Sequence, residues 1–270
     1  MTRSVSEFSW VGSQVDYVDE ITIDHISHLT LGRFGGNSRA GQYKNEDGCL
    51  IWADETGSWE LVVLLDAHYS AESAELVIHQ FLTYKAEIQA LLAKPFAQTF
   101  KGIEETILRM FQEEEFLSEC LRVKGETACL VLLRKNMYLW WFSIGDCLSY
   151  LFHPELAQLG QFQINQRQFY EWVGNVNTFG LDVPCYSSGI RELRKGVNRI
   201  LVTTDGLVEC PGEPYSDAKE IYNILLQHPG GGECIMALLN TIREHGVRDS
   251  TTIISWEVSV SEDVQMPSDG

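Results

Sequence analysis

The spacing of apolar residues changes period several times along the chain. Over residues 20–34 apolar and polar side chains alternate, as on a half-buried strand. Residues 48–54 (GCLIWAD) and 59–66 (WELVVLLD) are short apolar runs separated by Glu55-Thr56-Gly57, a turn composition, and predict two further strands. The period then becomes helical. Ala74, Val77, Ile78 and Phe81 recur at i, i+3, i+4, i+7, and Phe100, Ile103, Ile107 and Phe111 form a similar stripe whose outer face carries Glu104, Glu105, Glu113 and Glu114. Residues 128–146 predict a hairpin turning near Lys135-Asn136, so continuously apolar that both of its faces should be covered. Short strands are expected at 148–152 and 161–165 and a buried one at 199–204. Helices are expected around 217–227 and over 233–244, where Ile235, Leu238, Leu239 and Ile242 share a face, with a closing strand at 250–258. Residues 166–198 follow no single period.

Strands, two helices, strands, two helices and a strand do not make the regular β-α alternation of a parallel sheet. The order predicts an α+β fold, a four-layer α-β-β-α sandwich of two antiparallel sheets flanked by helices. No repeat or Pro- and Ser-rich linker divides the chain. It reads as a single domain over 1–270, with a motif-bearing core at about 40–258 and a polar tail at 259–270.

Composition narrows the partners. The chain has 270 residues, 38 Asp and Glu against 20 Lys and Arg, and a net charge of -18. Phosphate backbones and anionic bilayers are held mainly by Lys and Arg, so neither a nucleic acid nor a membrane surface is an expected partner. Most of the acids must be solvated surface, because a metal site uses only a handful. The seven cysteines form no C-x-x-C pair and several sit in apolar runs, which is the usage of reduced, buried thiols. The first residues carry no apolar leader segment, and no apolar run reaches the ~18 residues of a membrane helix. A soluble, cytoplasmic protein is the expectation.

Three acids stand at the ends of apolar strands: Asp66 closes LVVLLD, Asp205 closes ILVTTD, and Asp249 precedes STTIISW. Strand-end carboxylates can converge on one rim of a sandwich, where they repel one another unless cations neutralise them. An all-oxygen ligand set suits Mg²⁺ or Mn²⁺. Singly, an Asp followed by Gly, as in Asp205-Gly206, is equally the composition of a turn. The run Tyr138–Phe142 reads as core, and Cys147 as a small buried residue beside Asp146.

Order separates these readings. Asn45-Glu46-Asp47-Gly48, Asp66-Ala67-His68, Gly125-Glu126-Thr127-Ala128, Ile144-Gly145-Asp146, Thr203-Thr204-Asp205-Gly206-Leu207 and Asp249-Ser250-Thr251-Thr252 follow one another along the chain. Over roughly residues 40–255 this series resembles the sequence blocks of the metal-dependent serine/threonine protein phosphatases of type 2C, in a divergent, bacterial-type form. The resemblance implies two Mn²⁺ or Mg²⁺ ions and a phosphoprotein substrate, whose phosphoserine or phosphothreonine is hydrolysed by a metal-bridging hydroxide. It implies that Asp66 bridges both ions, that the Ala67 carbonyl completes one shell, and that Asp205 and Asp249 hold the other ion. Glu46 and Asp47 would bind metal-bound waters, Asp146 would serve a third, weaker ion, and His68 would be the general acid.

Four positions depart from the family pattern. Gln42 stands where the family has a phosphate-gripping Arg, so Lys44, on the same face if 42–46 is a strand, and Arg39 become the candidate cations. The D-G-H-G-G block reads Asp66-Ala67-His68-Tyr69-Ser70, where Ala67 would be strained if its φ had to be positive. Glu126 replaces a Ser, and Ser250 replaces an Asn. These departures keep two alternatives in view: a pseudophosphatase acting as a binding or regulatory module, and a two-metal hydrolase of small phosphate esters.

Overall fold

A computed structural model describes residues 4–262. The chain runs β1 (Val5–Val11), β2 (Ile21–Ile26), β3 (Leu29–Phe34), β4 (Gly48–Asp54), β5 (Trp59–His68), α1 (Glu72–Thr83), α2 (Lys85–Leu92), α3 (Phe96–Phe111) and α4 (Glu114–Cys120). It continues with β6 (Glu126–Lys135), β7 (Tyr138–Ile144), β8 (Leu148–Phe152), α5 (Pro154–Gln158), β9 (Val173–Gly174), β10 (Ser187–Glu192), β11 (Gly196–Thr203), α6 (Ala218–Gln227), α7 (Gly231–Glu244) and β12 (Thr251–Val260).

The strands form two sheets, antiparallel throughout. One has the order β1-β4-β5-β6-β7-β10, with β9 added beside one end of β6; the other has the order β2-β3-β12-β11-β8. Residues alternate sides along a strand, so β5 sends Val62 and Leu64 into the core between the sheets and Leu61, Val63 and Leu65 outward against the helices. The outer face of the first sheet is covered by α1–α4 through Val77, Phe81, Ile103 and Ile107. That of the second is covered by α6 and α7 through Ile221, Leu225, Ile235 and Leu239. This is the four-layer sandwich, and it explains the continuous apolar runs: every central strand is buried on both faces.

Several sequence expectations change in detail. Residues 20–34 are a hairpin and not one strand, because Ser27 takes a left-handed φ of 55° and turns the chain so that Ile26 pairs with Leu29. Of 161–165 only Gln163 bridges to Tyr150, since Asn165 instead spends its side chain on β8. The stretch 42–47 belongs to no strand, so Gln42, Lys44 and Glu46 do not share a strand face. The strand β1, the helices α2, α4 and α5 and the 3-10 turns had no clear period. The proposed tail begins later than expected, because Ser259 and Val260 still pair in β12; its residues 263–270 lie outside those described.

Register decides where the acids fall. Asp66 lies opposite Ala128, near the start of β6, and Cys129 lies opposite Ile144, so the turn carrying Asp146 returns beside Asp66. In the other sheet Thr203 lies opposite Ile253, which brings Asp205, just past β11, beside the start of β12 and therefore near Asp249. Asp47 immediately precedes β4, whose Gly48 pairs with Leu65. Antiparallel pairing thus delivers five acids from both sheets to one rim.

Candidate metal centre

At that rim Asp66, Asp146 and Asp205 each offer a carboxylate oxygen within 4.8 Å of the other two, and all three side chains are buried. Asp249 lies outside this tight triplet, on a more exposed flank. There it accepts from the Ser250 main-chain N–H at Oδ1 (2.9 Å). Two glycines make the convergence sterically possible. A Cβ on Gly145, whose φ is +82°, would come within 2.5 Å of the Ala128 Cβ. One on Gly206 would come within 2.4 Å of the Ser250 carbonyl oxygen.

The acids have few protein donors to share. The Asp205 N–H donates to Asp66 Oδ2 at 3.4 Å, while Asp146 Oδ1 and Asp205 Oδ1 are buried without a hydrogen-bond partner. Such orphaned oxygens are costly unless something cationic binds them. Burial, followed by repulsion from Asp205, Asp47, Asp249 and Asp146, pushes the Asp66 carboxyl well above the ordinary carboxylate range. Burial and then Asp249 and Asp146 raise Asp205 to about 8, with Arg167 opposing. Hard, crowded oxygens with unpaired acceptors fit a divalent cation such as Mg²⁺ or Mn²⁺. Asp66, Asp146 and Asp205 would hold it.

Asp47 sits behind this cluster, buried, in a cradle of hydroxyls. It accepts from Thr252 Oγ1 (2.6 Å) and Thr204 Oγ1 (3.1 Å) at Oδ2 and from Ser250 Oγ (3.2 Å) at Oδ1. Burial raises it to about 7 despite these bonds, with Asp249 adding to the rise. Ser250 therefore has a structural use where the family has Asn.

A cavity of about 460 Å³ opens beside the cluster, lined in part by Gln42, Lys44, Glu46, Asp66, His68 and Asp249. Glu46 pairs with Lys44, whose ammonium also donates to the Tyr69 carbonyl at 2.6 Å. Lys44 is thus on the cavity wall but already engaged. Gln42 is buried and uncharged, and Arg39 sits on an exposed 3-10 turn outside the cavity lining. Ala67 lies within β5 and is not left-handed; the strained residue of that block is Tyr69, at φ +73°. His68 ends β5, exposed, with its ring edge-on to Trp172 at 4.7 Å between centroids. Burial raises the Asp146 and Asp249 carboxyls, and His68 lies close enough to both to oppose that rise when it is protonated.

Sequence reasoning missed Arg167, Glu209 and the hydroxyl cradle. Glu209 had a legible signal, since it stands one helical turn after Asp205 and its N–H donates to the Asp205 carbonyl (2.9 Å). Arg167 had none.

The fold is that of the metal-dependent serine/threonine phosphatases of type 2C. The chain is similar to a bacterial serine phosphatase (TM-score 0.63, 15% identity, 97% of this chain and 100% of that one). It is also similar to Stp1 from Staphylococcus aureus (TM-score 0.63, 14% identity, 96% of each chain). A third likeness is to the catalytic domain of the serine/threonine phosphatase PstP in complex with two manganese ions (TM-score 0.56, 16% identity, 95% and 100%). No family model and no curated protein matches the sequence itself. Among the described residues no helix is long and apolar enough to cross a membrane, and all seven cysteines are free.

The raised carboxyls make a stability prediction. Asp47 and Asp205 hold protons up to about 7 and about 8 in the folded chain, against an ordinary value of 3.8. Between about pH 4 and 8 the folded state therefore binds more protons than the unfolded one, and stability falls as pH rises. The metal-stripped protein should be most stable near pH 4–5, as far as these acids decide it, and lose Tm up to about pH 8. Mn²⁺, which competes with the protons, should raise Tm most at the alkaline end. Occupancy at a hundred times Kd is worth about 2.7 kcal/mol, or roughly 5–10 °C for a chain of this size. A thermal scan with and without Mn²⁺ at pH 5, 6.5 and 8 measures this; a shift independent of pH would contradict it.

Proposed function

We propose that this protein is a divergent, bacterial-type member of the type 2C phosphatases. On this reading it removes phosphate from phosphoserine or phosphothreonine in proteins, using two divalent cations, as one phosphatase domain working in the reducing cytoplasm. The observation that carries the reading is the buried Asp66–Asp146–Asp205 cluster, with its orphaned oxygens, at the rim of a sandwich shared with metal-dependent phosphatases. When bound, the cations lower the pKa of a coordinated water and neutralise charge on the phosphoryl oxygens.

The chain's own groups divide the remaining work. Asp66, with the Ala67 carbonyl beside it, would hold the ions from the first sheet, and Asp205 and Asp249 would hold them from the second. Asp47, held by Thr204, Ser250 and Thr252, and Glu46, steadied by Lys44, would orient water beside the ions. His68 stands at the exposed lip, where a phosphorylated side chain enters, and donates a proton to the departing Ser or Thr oxygen. The cavity beside the cluster takes the phosphate, and Lys44 contributes positive charge on its wall.

Activity on a phosphothreonine peptide should require added Mn²⁺ or Mg²⁺, saturate with the metal and vanish with EDTA. Full turnover after metal stripping would overturn the mechanism. One observation favours a second reading, a pseudophosphatase that binds phosphoproteins without turning them over: the Gln42 position is neutral and buried, and Lys44 is already paired. Metal binding and phosphopeptide binding without turnover under any divalent cation would select that reading.

A further inference from the structure

A positive charge beside the carboxylate triplet comes from the segment whose sequence follows no period. Arg167 Nη2 lies 2.5 Å from Glu209 Oε1, 3.3 Å from Asp205 Oδ2 and 3.9 Å from Asp146 Oδ2. Its guanidinium stacks over the Phe169 ring at 4.7 Å. The backbone on either side is tied to the stretch that carries Asp146. The Ile164 N–H donates to the Ser149 carbonyl (3.0 Å), and the Gln168 N–H donates to the Gly145 carbonyl (2.8 Å). Between them the buried Asn165 accepts from the Ser149 N–H (2.8 Å) and Oγ (2.9 Å). It donates to Ser143 Oγ (3.0 Å) and to the Cys147 carbonyl (2.8 Å). The carriers of Arg167 and Asp146 are therefore one hydrogen-bonded unit, and the guanidinium is seated and not merely within reach.

We propose that Arg167 is a built-in counter-cation on the Asp146–Asp205 flank, which takes the place of a third divalent ion and limits the centre to two. This rests on reading the cluster as a metal centre. A guanidinium stays charged at any working pH, so deprotonation cannot clear the seat. Arg167 takes the Oδ2 atoms of both carboxylates and leaves their orphaned Oδ1 atoms to the two-ion centre, so a further dication at the Oδ2 atoms would lie within a few ångströms of a fixed positive charge.

Mn²⁺ binding to the metal-stripped full chain, followed by the EPR signal of free Mn²⁺, tests this. The native protein and Arg167→Lys should take two equivalents. Arg167→Ala and Arg167→Gln should take a third at the same free Mn²⁺, and Asp146→Asn added to Arg167→Gln should abolish it. Arg167→Gln keeps side-chain length and hydrogen-bonding capacity and carries the test should the alanine variant not fold, with far-UV circular dichroism as the check. Three equivalents in the native chain, or two in folded Arg167→Gln, would overturn the proposal and leave the metal-dependent reading standing. No Mn²⁺ binding by the native chain would overturn both.

Discussion

Asp66→Asn is expected to lower kcat on a phosphothreonine peptide at least about a hundredfold at saturating Mn²⁺, because charge held against the reacting phosphoryl group is among the largest catalytic terms. The substitution keeps the shape of the side chain and removes its charge. Asp66 receives one long hydrogen bond from the protein, the Asp205 N–H at 3.4 Å, so little structure depends on its being a carboxylate. It is instead one of several buried acids that raise one another's pKa, as Asp205, Asp47, Asp249 and Asp146 raise its own. Removing one member should relieve repulsion, so the metal-stripped variant should melt no lower than the native chain at pH 8. The Tm increment on adding Mn²⁺ should shrink or disappear. That pairing of lost turnover with retained or increased metal-free stability separates a ligand from a structural residue. Turnover within tenfold of native at saturating Mn²⁺ would remove Asp66 from the centre.

His68→Gln should cost roughly 10²–10⁴-fold in kcat on a phosphopeptide, the usual worth of a positioned general acid, and much less on p-nitrophenyl phosphate. A serine or threonine alkoxide leaves poorly without a proton, whereas p-nitrophenolate leaves readily. The contrast between the two substrates is therefore the measurement. Geometry supports the role: His68 follows Asp66 by two residues on β5, so both stand at the same rim, and its ring is braced by Trp172 while remaining exposed. Equal losses on both substrates would mean that His68 braces the site and transfers no proton.

The site was legible in part because strand ends are visible in a sequence. Asp66, Asp205 and Asp249 each close or open an apolar run, and an antiparallel sandwich has only two rims on which such residues can gather. Asp146 was readable only through the resemblance carried by Ile144-Gly145-Asp146. Its membership of the tight triplet with Asp66 and Asp205 was not, because that depends on β7 returning alongside β6 and β6 alongside β5. The cradle around Asp47 escaped notice for a different reason. Thr204, Ser250 and Thr252 look like ordinary polar residues in strands, and only the pairing of β11 with β12 turns their hydroxyls onto one carboxylate.

The N-terminal hairpin and the segment before β4 show the limits of period. Residues 20–34 alternate well enough to read as one strand, and a left-handed Ser27 breaks them into two. Residues 42–47 belong to no strand, so counting every second residue does not put Gln42, Lys44 and Glu46 on one strand face. They nevertheless line one cavity, together with Asp66 and Asp249.

By itself the sequence determined the layer order, the both-face burial of the central strands and the set of acids available for chemistry, because these follow from local period and from which residues end apolar runs. The tertiary structure decided which acids touch, which of them have no donor, and which cation stands beside them. Those are properties of strand pairing and of an irregular segment whose position is set by hydrogen bonds from Asn165 and Gln168 to distant residues, and no local pattern encodes a partner that lies across the fold.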